Sequence, residues 1–99
     1  MEFGLDKSTI DKIKAVFRKY PKIEKVIIYG SRAVGNYKSG SDIDLAVLGD
    51  FEWDFIGKLA EALDNTSIPY IYDLTDYARI SNSDLKKHID DEGKIFYEV

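Results

Sequence analysis

Asp42 and Asp44 stand two residues apart in the run Gly40-Ser41-Asp42-Ile43-Asp44-Leu45. On an extended strand this spacing puts both carboxylates on one face and Ile43 and Leu45 on the other. Neighbouring carboxylates repel and raise each other's pKa unless something positive lies between them. A hard divalent cation suits them, because Mg²⁺ takes carboxylate, phosphate and water oxygens. Taken alone, an Asp-x-Asp pair more often marks two solvent-facing acids. The upstream run Gly30-Ser31-Arg32-Ala33-Val34-Gly35 shifts that balance. A strand ending in Gly30 lets the backbone approach a phosphate closely. A helical turn starting at Ser31 would aim free N–H groups at that anion, and the Ser31 hydroxyl can donate to a phosphate oxygen. Arg32 has two open readings: a phosphate ligand, or a brace that holds the loop through a carboxylate.

Two other motifs fail at their defining positions. Gly30 to Gly35 has the glycine spacing of a P-loop, but Asn36-Tyr37 follows where Lys and Ser or Thr are required. Asp42-x-Asp44 resembles the start of an EF-hand, but Val47 occupies the glycine position and Trp53 the position of the closing glutamate.

The elements that must position these residues alternate along the chain. Ser8 reads as the N-cap of a helix whose stripe is Ile10, Ile13, Val16, Phe17 and Tyr20, stopped by Pro21. Lys25 to Tyr29 is short, β-branched and apolar, as expected of a central strand covered on both faces. Asp42 to Leu48 is a second strand. Phe55, Ile56, Leu59, Ala60 and Leu63 mark a second helix. Pro69 to Leu74 is a third strand, with Pro69 at its first position. Ser81, Asn82 or Ser83 can cap a third helix carrying Leu85 and Ile89, with Gly93 as its C′ residue. Lys94 to Val99 is a last strand. The order is α-β-α-β-α-β, with a short helical turn after Gly30.

The pattern G-S-x-A-x-G followed by G-S-D-x-D-L resembles the DNA polymerase β-like nucleotidyltransferase superfamily, and within it the minimal nucleotidyltransferase (MNT) branch. The resemblance implies an α/β (α+β) fold: one small domain over residues 1–99, with a mixed sheet of about four strands flanked by helices, as in the polymerase β palm. It implies transfer of a nucleoside monophosphate, AMP from ATP, with pyrophosphate leaving. Catalysis and the binding of two Mg²⁺ ions fall to Asp42, Asp44 and a third acid on a later strand, and nucleotide binding to Gly30, Ser31, Arg32 and Ser41. Asp73 is favoured as the third acid, because it ends an apolar run while Asp76 suits a turn or helix cap. The resemblance further implies an antitoxin paired with a HEPN ribonuclease toxin, whose side chain accepts the AMP. Two other readings remain: a binding module that occludes its partner without chemistry, and a transferase acting on a small molecule or an RNA end. The last needs an acceptor domain for which the chain has no room.

Composition agrees with one globular domain: 99 residues, 44% hydrophobic and 32% charged. The net charge of −4 opposes long nucleic acid as the main substrate. There is no cysteine, hence no disulfide or thiolate metal site. The first residues lack the pattern of a secretion signal and no apolar run approaches a membrane span, so a cytoplasmic location is expected. His88, the single histidine, sits among Lys86, Lys87, Asp90 and Asp91 and reads as part of a solvated helix face. Arg79 reads as a surface ion-pair residue. Phe51, Trp53 and the tyrosines at 70, 72, 77 and 97 read as core before interface.

Overall fold

The computed structural model describes residues 2–99. Its elements are α1 (Lys7–Arg18), β1 (Ile23–Tyr29), α2 (Ser31–Val34), β2 (Ile43–Gly49), α3 (Phe55–Asp64), β3 (Tyr72–Asp76), a 3-10 turn (Tyr77–Arg79), α4 (Ser83–Glu92) and β4 (Lys94–Glu98). The strands form one sheet in the order β3-β2-β1-β4. β1 runs antiparallel to β2 and β4, while β2 and β3 are parallel. The sheet is therefore mixed, as the sequence implied. Among the described residues, no helix is long and apolar enough to cross a membrane.

The two faces of the sheet are covered unequally. On one, Val26 and Ile28 of β1, Ile43, Leu45 and Val47 of β2, and Phe96 of β4 pack against Ile10, Ile13, Val16 and Phe17 of α1 and Leu59 and Leu63 of α3. Phe17 is fully buried, its ring edge-on to Phe96. Burying a side chain of this size contributes about 1.5–3 kcal/mol. The other face holds a smaller cluster. There Tyr29, Ala46 and Ile89 are buried against Ile27, Tyr77, Ile80 and Leu85, so α4 lies over β1 and β2. The short β1 strand is indeed covered on both sides.

Several boundaries differ from those read in the sequence. Helix α1 starts two residues early: Asp6 is its N-cap, and the Thr9 hydroxyl, not a Ser8 cap, donates to the Asp6 carboxylate at 2.5 Å. Strand β3 starts at Tyr72 instead of Pro69. Ser67 just upstream adopts φ 57°, a left-handed turn, and Pro69 has no N–H for a ladder, so regular pairing begins later. Asn82 caps α4, its side-chain oxygen accepting from the amides of Asp84 and Leu85. Gly93 follows α4 in an extended conformation (φ −68°, ψ 154°) instead of the left-handed turn of a C′ glycine, because the chain passes straight into β4.

Candidate active site

The turn after β1 carries the first half of the site. Gly30 has φ 75° and ψ −156°, a conformation open in practice to glycine alone. A Cβ on Gly30 would lie 2.5 Å from Oδ2 of Asp44. The glycine thus does two things: it reverses the chain into α2, and it lets the Asp44 carboxylate sit against the backbone of the turn. Ser31 opens α2, half-buried, at the same end of the sheet.

The second half comes from the parallel pairing of β2 and β3. Asp44 and Asp73 are direct register partners. Ile43 and Leu45, either side of Asp44, are buried in the large core, so Asp44 points to the opposite face. Asp73 faces it from the neighbouring strand and is exposed. Asp42 precedes β2 by one residue and is exposed. Burial holds the Asp44 carboxyl above its usual pKa of 3.8, and the charges of Asp73 and then Asp42 push it the same way. Asp44 therefore feels both of the other acids. Among the described residues none of them joins an ion pair. They do not form a ready-made ligand cluster either: no group of three or more such side chains stands close enough together to hold a metal among the described residues. The donor set is nonetheless all carboxylate oxygen, without an ion-pair partner among the described residues, and Asp42 and Asp73 are exposed. That chemistry fits a hard divalent cation bound together with the oxygens of a ligand.

Asp76, the other candidate third acid, serves as a cap. Its carboxylate accepts from the Ala78 amide and pairs with Arg79, the surface ion pair expected of that arginine. Tyr72 anchors the start of β3 beside Asp73. Its hydroxyl donates to the Ala60 carbonyl at 3.0 Å and to the Asp64 carboxylate, both on α3. Burial and then Asp64 push the Tyr72 pKa up to about 12, so the phenol stays a donor.

Arg32 braces the loop, one of the two readings open for it, and does so through carbonyls, not a carboxylate. It is 2% exposed. Its Nε and Nη2 donate to the Ser41 carbonyl at 3.0 and 2.8 Å, Nη2 also to the Ser39 carbonyl, and Nη1 to the Phe3 carbonyl at 3.0 Å. The rings of Tyr37 and Tyr70 lie against the guanidinium. Buried polar donors must find partners, and here the loop's own carbonyls supply them. Ser41 is occupied likewise, its hydroxyl accepting from the Lys38 amide at 2.8 Å. The structure thus brings Asp42 and Asp73 within electrostatic reach of Asp44, sets Asp44 against the Gly30–Ser31 turn, and makes Arg32 and Ser41 the frame of the loop that leads into Asp42.

Two residues were underread in the sequence. His88 is not on a solvated face; it is half-buried and its Nε2 accepts from the Gly30 amide at 3.1 Å. Its spacing carried the signal, since Leu85, His88 and Ile89 follow i, i+3, i+4 and share the inward side of α4. Tyr29 lies on the carboxylate face, its hydroxyl 3.2 Å from that of Thr75. Trp53, by contrast, is 75% exposed and takes no part in the core.

This sheet, with carboxylates on adjacent strands beside a glycine turn, has known counterparts. The family model "Polymerase beta, Nucleotidyltransferase" matches residues 11–99. The chain belongs to the polymerase β nucleotidyltransferase family. It is 32% identical over 71 residues to a Haemophilus influenzae protein provisionally named protein adenylyltransferase MntA, an alignment covering 70% of this chain and 62% of that one. The chain spans 55% and 62% of the two curated relatives it matches. Among solved structures, a toxin–antitoxin crystallised with AMP-PNP contains a chain 29% identical, with a TM-score of 0.65 over 91% of this chain and 73% of that one. A second structure holds a tri-AMPylated Shewanella oneidensis HEPN toxin in complex with an MNT antitoxin. There the identity is 25% and the TM-score 0.62, over 96% of this chain and 74% of that one.

Proposed function

We propose that this nucleotidyltransferase moves AMP from ATP to a hydroxyl group on a protein partner, a HEPN-type toxin that the modification silences. One observation carries the reading: Asp44 and Asp73 face each other across parallel strands, unpaired, with Asp44 resting against the Gly30 turn. The names of the relatives and the AMPylated toxin of the Shewanella complex support the nature of the acceptor.

In this reading the Gly30–Ser31 turn receives the phosphates. Its backbone can approach them because no side chain projects from Gly30, and the first-turn amides of α2 and the Ser31 hydroxyl donate to their oxygens. Asp42, Asp44 and Asp73 would hold Mg²⁺, which supplies positive charge against the developing and departing oxygens of an in-line displacement. The acceptor hydroxyl attacks the α-phosphorus, the bond from that phosphorus to the bridging oxygen of the β-phosphate breaks, and pyrophosphate leaves. Asp73, the more exposed of the facing pair, takes the hydroxyl proton on its carboxylate. Arg32 holds the Phe3, Ser39 and Ser41 carbonyls so that the loop between Gly35 and Asp42 does not collapse onto the acids.

The test is incubation with α-labelled ATP, Mg²⁺ and the cognate toxin. Label should appear on the toxin and be lost with Asp44→Ala. No transfer from any of the four ribonucleoside triphosphates would overturn the reading, and undiminished neutralisation by Asp44→Ala would replace it with simple occlusion.

A further inference from the structure

The amide of Gly30 lies just beyond the sheet. The β1–β2 ladder ends at Tyr29 paired with Asp44, and the β1–β4 ladder ends at Ile28 paired with Lys94. Among the described residues no neighbouring strand extends to Gly30, so its N–H needs a partner from elsewhere. His88 supplies it from α4, 58 residues away in sequence. An Nε2 that accepts carries no proton, so this hydrogen bond requires the ring N–H to be on Nδ1. The ring is held edge-to-face on Tyr29, with centroids 6.1 Å apart and planes at 77°. Leu85 and Ile89 on the same side of α4 pack into the small cluster over Ala46. The imidazole is thus placed by the fold, not by its own flexibility.

The Asp44 carboxylate lies against the same glycine. An ionised carboxylate is a stronger acceptor for an amide than a neutral imidazole. If Nε2 were removed, the freed Gly30 N–H would be left to find that carboxylate, at the expense of its oxygens and of the turn's shape. The geometry points to His88 as a positioning residue that binds the Gly30 peptide and so keeps the phosphate turn open and the Asp44 oxygens available. This role rests on the nucleotidyltransferase reading above, because the turn it shapes is the one assigned to the triphosphate.

The experiment compares the whole wild-type chain with His88→Leu, which removes the acceptor, and His88→Gln, whose side-chain oxygen can reach the Nε2 position. Binding of AMP-PNP in Mg²⁺ is measured by calorimetry. The loss of one fixed, partly buried hydrogen bond predicts a dissociation constant weaker on the order of tenfold for His88→Leu. For His88→Gln, recovery to within about twofold of wild type is expected if the acceptor alone matters. A purely space-filling role would spare His88→Leu and not be rescued by Gln, and either result overturns the proposal. Nitrogen NMR of the wild-type imidazole supplies a readout that needs neither a folded variant nor a ligand. A neutral ring protonated at Nδ1, with a Gly30 amide slow to exchange, is expected; a proton on Nε2 or a fast-exchanging amide overturns it. Failure of the wild-type chain to bind AMP-PNP, alone or with the toxin, while the NMR signature holds, would instead sink the functional reading and leave the His88–Gly30 tie standing.

Discussion

The two faces of the sheet differ in what they contribute. The face under α1 and α3 is apolar, filled by fully buried side chains such as Phe17, Ile28 and Leu45. The other face has Tyr29 and Ala46 buried under Ile89 of α4, and at one end it keeps acids that no cation neutralises among the described residues. One face supplies stability, and the other carries uncompensated charge at a cost to stability. Adjacent residues on β2 divide between them: Ile43 and Leu45 serve the first, Asp44 the second.

The sharpest way to break this division is to remove the acid. Asp44→Ala should lower the transfer rate on the order of 10³-fold, as losing a main electrostatic group does, with the melting temperature unchanged or higher. A variant that unfolds would show that Asp44 is structural. The converse change, Phe17→Ala, should cost about 3–5 kcal/mol in denaturant unfolding. The fraction that remains folded should bind AMP-PNP as wild type does. Arg32→Lys tests the frame between the two regions. A lysine cannot reproduce four hydrogen bonds to three carbonyls, so a loss of about 2 kcal/mol is expected in the same unfolding assay. Nucleotide affinity should fall with it as the loop loosens.

The smallest effect is also the most diagnostic of sign. The folded state raises the Asp44 pKa above 3.8, so it binds that proton more tightly than the unfolded chain does. The favourable contribution is complete below 3.8 and is lost as pH rises through the raised value. At neutral pH the ionised carboxylate opposes folding, although water screens part of the effect. Asp44→Asn should therefore raise Tm by roughly 2–4 °C at pH 7, with the gain vanishing in acid. A lower Tm at pH 7 would contradict the division between the faces.

Much of this was legible because local chemistry and fold agreed. Asp42-Ile43-Asp44-Leu45 alternates with the period of a strand, and Gly30 ends an apolar run, so the sequence alone placed the acids and the turn. Asp73 was separable from Asp76 by its place in an apolar segment, while its pairing with Asp44 becomes visible only once β3 is laid beside β2. What local pattern does not contain is the identity of hydrogen-bond partners far along the chain. Arg32 finds Phe3, and His88 finds Gly30, through tertiary packing; each was therefore open or misread until the elements were assembled. The start of β3 was missed for a different reason, since the left-handed Ser67 outweighed the β-preference of the residues after Pro69.

Arg32 also has an influence beyond the loop it holds. Its hydrogen bonds go to neutral carbonyls and its flanks to aromatic rings, and among the described residues it has no salt-bridge partner. None of these contacts cancels its charge. In a chain of net charge −4, one full positive charge thus stays fixed in the loop that leads into Asp42, shielded from solvent ions by burial. Beside acids that have no ion-pair partner of their own among the described residues, that buried charge offsets part of the repulsion any approaching anion meets.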